Sequence, residues 1–213
     1  MTQPTRSARS AVRPSIREAQ KEATARLLLD SAAELFLEHG YGHTTIEQIA
    51  TNAGASRATF YLHFEKKADT AVALISDQIV AETTEFYRRL DAMWPPTQPR
   101  LRDWLDDALT FYERHREVLE VWRQALASEP SLARFQAVQN EQFAEVMVAY
   151  LGGWDEAGQH EARLRLSVLI VELTDIAMGW LNGVWPVDRV TITGILLDLW
   201  TAGLRLGRDP DRP

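Results

Sequence analysis

Apolar residues return along this chain at steps of three and four, the period of a helix face, and nowhere alternate long enough to build a sheet. Leu28, Ala32, Leu35 and Phe36 share one face of a segment that predicts a helix from about Ser15 to His39, with Gly40 as its stop. Thr44 with Glu47, and Thr45 with Gln48, have the spacing of a capping box and open a second helix. It should end near Ala53, because Gly54 takes a positive φ at no steric cost. Ser56 then caps a short third helix through about Leu62. A long helix follows from Lys67 to Leu90, with Ala71, Leu74, Ile75, Gln78 and Ile79 along it, until the prolines of MWPPTQP (93–99) break it. Further helices are expected over about 100–115, 117–127, 131–152, 160–182 and 189–206, separated by SEP, GGWDEAG and WPVD. The sum is an all-α fold of about nine helices with no internal repeat.

Hydrophobic residues make up 46% of the 213, enough to bury a real core. The absence of cysteine excludes a disulfide scaffold and thiolate chemistry, and it fits a reducing compartment such as the cytoplasm. MTQPTRSARSAVRPSIREAQ, basic and polar, does not read as a signal peptide. LSVLIVELTDIAMGWLNGVW (166–185) is apolar, but Glu172 and Asp175 inside it each oppose insertion by roughly 3 kcal/mol, so a buried helix is expected and no membrane partner.

Charge changes the picture more. The net charge is −7, yet residues 1–67 hold nine Lys/Arg against seven Asp/Glu, while residues 68–213 hold fourteen against twenty-three. Six basic side chains (Arg6, Arg9, Arg13, Arg17, Lys21 and Arg26) crowd the first 26 residues against Glu18 and Glu22. A local basic surface can bind phosphate while the acidic remainder limits indiscriminate binding.

Residues 45–64 have the logic of a helix-turn-helix. Ala50 is small where two helices cross, Gly54 makes the turn, and Ile46, Ile49, Ala53 and Phe60 supply a small core. Arg57, Thr59, Tyr61 and His63 then face mostly outward at the start of a helix, where base edges in a major groove are read. Arg57 is either a bidentate guanine reader or a surface arginine. Tyr61 either meets the DNA backbone or packs on the first helix, and His63 either donates to a phosphate or caps a helix end. Lys67, in the first turn of the next helix, is expected to face a phosphate. Thr44, Thr45 and Ser56 complete the expected DNA-binding set. His39 and His43 have metal-like spacing, but Gly40 interrupts the helix between them and no further ligand completes a set, so no metal is expected.

The stretch FLEHGYGHTTIEQIATNAGASRATFYLHFEKKAD resembles the N-terminal module of the tetracycline-repressor (TetR/AcrR) family of transcriptional regulators. Phe36, Gly40, Tyr41, Thr45, Ile46, Ile49, Ala50, Ala53, Gly54, Ser56, Thr59, Tyr61, Phe64 and Lys67 carry the resemblance. Two positions depart from it: Lys66 stands where a small polar cap is usual, and Thr70 where a leucine is. The resemblance implies a homodimer on a double-stranded DNA operator, and a small-molecule effector that enters the C-terminal domain and displaces the fourth helix. The domains would be a basic arm (1–15), a three-helix DNA-binding domain (16–66) and a helical effector-binding and dimerisation domain (67–213).

Beyond residue 67 the chain is rich in aromatics, which read as core or as the wall of a cavity for an apolar ligand. Trp104, Phe111, Trp122, Phe143, Met147, Trp180 and Asn182 are the expected lining. Val168, Val171, Asp175 and Gly179, with Ile192, Leu196, Leu199 and Trp200, are the expected dimer seam of a four-helix bundle. No Gly-rich phosphate loop, nucleophile elbow or clustered histidine set is present, so neither an enzyme nor a cofactor is expected. The rival readings are an architectural or activating DNA-binding protein without an effector, and an enzyme or interaction domain with a vestigial helix-turn-helix.

Overall fold

In a computed structural model, which describes residues 15–206, the Ser15 hydroxyl accepts the Glu18 amide and the Glu18 carboxylate accepts the Ser15 amide, opening helix α1 (Ile16–His39). The expected basic arm lies outside the described residues, Ser15 excepted. Helix α2 (Ile46–Asn52) begins at Thr45, one of the two caps that the spacing offered, and α3 (Arg57–Tyr61) at Ser56. Leu28, Ala32 and Phe36 of α1, Ile49 and Ala50 of α2 and Phe60 of α3 form a buried core for this unit, and the Ser31 hydroxyl donates to the Ile49 carbonyl at 2.8 Å.

The long fourth helix is a rod in three parts: α4 (Lys67–Ile75), a π turn (Ser76–Val80) and α5 (Ala81–Ala92). The interruption has a cause in the sequence. Inward positions Ala71, Ile75, Ile79 and Thr83 recur at steps of four, and each step over-rotates an α-helix by about 40°. A wider turn absorbs the excess and keeps them on one face. Lys66 provides no side-chain cap for α4; the Asp69 carboxylate instead accepts the amides of Glu65 and Lys66, both at 3.0 Å. Thr70, where a leucine is usual, is fully buried, and its hydroxyl donates to the Lys67 carbonyl at 2.7 Å.

The body continues with α6 (Gln98–Arg114), α7 (Arg116–Ser128), α8 (Leu132–Glu145), α9 (Val148–Gly152), α10 (Gln159–Leu181) and α11 (Arg189–Gly203). With the rod counted as one helix, the described residues form ten helices and no strand. The tenth arises because the segment expected over 131–152 breaks at Val146–Met147. Asp91 holds the piece beyond the break, its carboxylate accepting the amides of Ala149 and Tyr150 at 3.0 Å each. Asp188 caps α11 through the Thr191 amide, and Arg189 ties that helix to α6 through Asp106 at 2.7 Å and Glu113 at 2.9 Å. None of the described helices is long and apolar enough to cross a membrane.

Candidate DNA-binding surface and effector core

Capping and burial decide what α2 and α3 present. Thr45 accepts the Gln48 amide at 3.2 Å while Gln48 accepts the Thr45 amide at 2.8 Å. Ser56 accepts the Thr59 amide at 3.0 Å, and its hydroxyl pairs with that of Thr59 at 2.8 Å. Phe60 is fully buried, with Phe64 and Tyr61 against its ring. The inward pull of Phe60 turns Arg57 and Tyr61 outward together, where the Arg57 guanidinium donates to the Tyr61 hydroxyl at 3.3 Å. Thr45, Ser56, Arg57 and Tyr61 are exposed, and Thr59 and His63 half-buried. Leu62 is also exposed, an apolar neighbour that the spacing argument left out.

Two of the expected DNA-binding residues are turned inward. Thr44 is buried, its hydroxyl shared between the carbonyls of Leu35 and Gly40. The Lys67 ammonium donates to the carbonyls of Tyr41 at 2.6 Å and Thr44 at 2.9 Å, and lies 4.1 Å from the centre of the Tyr41 ring. Burial holds its pKa below the usual lysine value, against the opposing charge of Glu129. The phosphate role expected of Lys67 is therefore corrected: the ammonium fixes the loop between α1 and α2. Lys66 beside it is exposed and makes no ion pair among the described residues. Gln124 of α7, unremarked in the sequence, accepts the Tyr41 amide at 2.9 Å. No local signal marks a partner 83 residues away.

Of the expected effector lining, Trp104, Phe111 and Phe143 come together, but as a packed stack rather than a wall. Phe86 lies 4.4 Å from Trp104 and 6.2 Å from Phe111, Tyr87 lies 5.9 Å from Phe143, and Trp104 lies 4.9 Å from Trp200, all between ring centres. The space left among Thr83, Phe86, Tyr87, Phe111, Tyr112 and Leu173 is about 10 Å³, room for one water at most. Trp122 packs elsewhere, against Phe135, and Met147 is buried at the joint before α9. Trp180 donates to the Val187 carbonyl at 2.9 Å, and exposed Asn182 accepts from Arg116 at 2.9 Å, so neither reaches the stack. The expected open cavity is thus filled by rings that phase alone cannot distinguish from a lining.

The expected dimer seam divides. Val168, Val171, Asp175 and Leu199 are exposed, as are Leu164 and Ile195 on the same two helices. Ile192, Leu196 and Trp200 instead belong to this chain's own core, with Leu196 and Trp200 at 0% exposure. Gly179 is covered by the Trp185 ring, which would lie 2.6 Å from an added Cβ.

Residues 28–74 match the family model described as bacterial regulatory proteins, tetR family. The transcriptional activator FasR of Mycolicibacterium smegmatis is 25% identical over 166 residues, covering 76% of this chain and 74% of that protein. The regulator TcmR of Streptomyces glaucescens is 41% identical over 63 residues, which are 30% of this chain and 28% of TcmR. Among solved structures, Thermus thermophilus FadR, a TetR-family repressor in complex with lauroyl-CoA, aligns with a TM-score of 0.61 at 22% identity, over 89% of this chain and 98% of that one. NalD of Pseudomonas aeruginosa, a repressor of an efflux pump, aligns with a TM-score of 0.56 at 22% identity, over 91% of this chain and all of that one. These relatives are regulators rather than enzymes, and the segment that matches the tetR-family model runs from α1 into α4 and includes the capped helices that present Arg57 and Tyr61.

Proposed function

We propose that the protein is a homodimeric repressor, working in the cytoplasm, that leaves a palindromic operator when a largely apolar effector enters its C-terminal body. The observation that carries the reading is the outward pair Arg57–Tyr61 on a helix held from behind by buried Phe60. Residues 16–66 are assigned to DNA and 67–213 to effector binding and dimerisation. Thr45, Ser56, Arg57, Tyr61 and Lys66 meet the duplex, with Thr59 and His63 at the edge. A two-fold axis through the exposed apolar faces of α10 and α11 sets two copies of α3 about one DNA turn apart, roughly 34–36 Å. Leu164, Val168 and Val171 of α10 and Ile195 and Leu199 of α11 support that axis, since large apolar side chains left exposed on two helices suit a partner's surface.

The effector works by differential affinity: it must favour the conformation whose α3 spacing misses the operator. The aromatic stack is its proposed entry point, and FadR, similar in fold, suggests lauroyl-CoA as a first probe. The test is an electrophoretic shift with duplex DNA flanking the protein's own gene, repeated with lauroyl-CoA. Retardation that the probe reverses, together with a rise in melting temperature, supports the reading. No retardation of any flanking duplex sinks it. FasR, named an activator, favours a second reading with the opposite sign of control. A reporter that falls when the protein is removed decides for activation.

A further inference from the structure

The loop that joins α1 to α2, residues 40–44, sets where the DNA-reading unit sits, because Thr45, the cap of α2, follows it directly. The polar groups at its centre are claimed from outside the unit. The carbonyls of Tyr41 and Thr44 accept from Lys67 of α4, whereas the Tyr41 amide donates to Gln124 of α7 at 2.9 Å. Tyr41 is fully buried while that acceptor is in place, so the Gln124 oxygen is what satisfies its amide. Gly40 precedes it at φ +81, and a Cβ there would stand 3.0 Å from the Gln124 oxygen. A glycine is thus what lets the Gln124 side chain approach the backbone so closely.

The other end of the Gln124 amide is held too. It donates to Glu120 at 3.2 Å, and Glu120 is itself gripped by Arg123 at 2.6 Å and 2.9 Å. Helix α7 meanwhile belongs to the body, where Ala125 is fully buried and the Trp122 ring packs on Phe135 of α8. Covalently, the reading unit joins the body only through α4. Gln124 is a second tie, non-covalent and therefore able to open. An open cleft of about 530 Å³ between α1 and α7, bordered by Phe36, Leu37, Glu117 and Asn182, reaches Gln124 from solvent and gives its side chain room to swing clear.

We propose that Gln124 is a positioning residue for DNA recognition: its side-chain oxygen latches the Tyr41 amide, so that a shift of α7 within the body is passed to α2 and α3. The proposal rests on the operator-binding role given above. It is tested on the full-length protein, with a duplex selected from a randomised DNA pool and amide hydrogen exchange as an independent readout. Gln124→Leu removes the acceptor, and Gln124→Ser, too short to reach, does so if leucine crowds Gly40. Gln124→Glu combined with Glu120→Gln restores it, because the carboxylate at 124 can accept both the Tyr41 amide and the new amide at 120. Losing one hydrogen bond of this kind should speed exchange at Tyr41 by about tenfold and weaken the duplex by a similar factor, with the salt dependence unchanged. The paired exchange of residues should recover both, and exchange in α10 and α11 should not move in any variant. Unchanged exchange at Tyr41 overturns the latch. Faster exchange with parental DNA affinity overturns the positioning role, as does an affinity loss that the paired variant fails to recover. A parent that selects no duplex removes the operator-binding role and this proposal with it, while exchange at Tyr41 still reports whether the bond exists.

Discussion

An ammonium set on two peptide carbonyls and an aromatic face has little left to offer a phosphate, and that is the position of Lys67. Lys66, one residue earlier, points to solvent from the end of the helix that phosphates favour. The two therefore separate experimentally. Lys66→Ala should lower the slope of log affinity against log salt by about one, the release of roughly one counterion. Lys67→Ala should leave that slope alone while costing about 1–3 kcal/mol of stability, since two carbonyls lose their donor. Salt titrations of duplex binding and urea unfolding of both variants check the pair; a slope that falls only for Lys67→Ala reverses the roles. The role proposed for Arg57 is of a different class, because a bidentate base contact discriminates. Arg57→Ala should flatten preference at a single base position by about 1–3 kcal/mol, measured with a panel of single-base duplex variants. Tyr61 contributes by holding the guanidinium along α3 before DNA arrives.

The π turn between α4 and α5 makes a prediction about length. Deleting Ser76 changes the inward steps through this region from four, four to four, three, which a regular α-helix accommodates. That deletion should leave Leu74, Ile75, Phe86, Tyr87 and Leu90 facing inward and the melting temperature within a few degrees of the parent, equivalent to about 1 kcal/mol. Deleting Glu85, in the regular part, rotates the remainder of α5 by about 100° and should abolish cooperative melting. Circular dichroism melting of both deletions is the check. Elements of this kind show where a sequence is readable. Caps at Ser15, Thr45, Ser56 and Asp188 are local chemistry within four residues, and the first three mark helix starts in the sequence alone. The break at Val146–Met147 was not legible, because its hold is Asp91, some 58 residues away in the chain. Thr44 and Lys67 were misplaced for the same reason: each looked polar and near a helix start, and each is satisfied by carbonyls that only the fold brings close.

At the scale of the molecule, the same limit governs the proposed dimer seam, since period alone cannot say which of two apolar faces meets its own core. Exposure separates them. Val168→Glu or Leu199→Glu should yield a folded monomer with little duplex affinity, whereas Leu196→Glu should unfold the chain by burying a charge among apolar groups. Sedimentation alongside thermal melting distinguishes the outcomes, and a Leu199→Glu protein that stays dimeric relocates the seam. The buried aromatic centre also fixes the alkaline limit of stability. Burial raises the phenols of Tyr112 and Tyr150 to about 12, and those of Tyr41 and Tyr87 well above the ordinary 10.0. The folded state keeps protons that the unfolded chain loses above 10.0, so the contribution is complete below that value and is lost as pH climbs through about 12. Lys67, shifted downward, acts in the opposite sense but is one group against four. Urea midpoints should fall steadily above the ordinary phenol value, with the phenolate absorbance of these four tyrosines appearing together with unfolding rather than before it. Finally, the two indoles of Trp104 and Trp200 lie 4.9 Å apart at 48°, close and skewed enough for their transitions to couple. Such a pair gives the protein a chiral optical signature of its own in the near ultraviolet, and a molecule that prises the stack open must dim it, so that occupancy of the centre can be followed without a label.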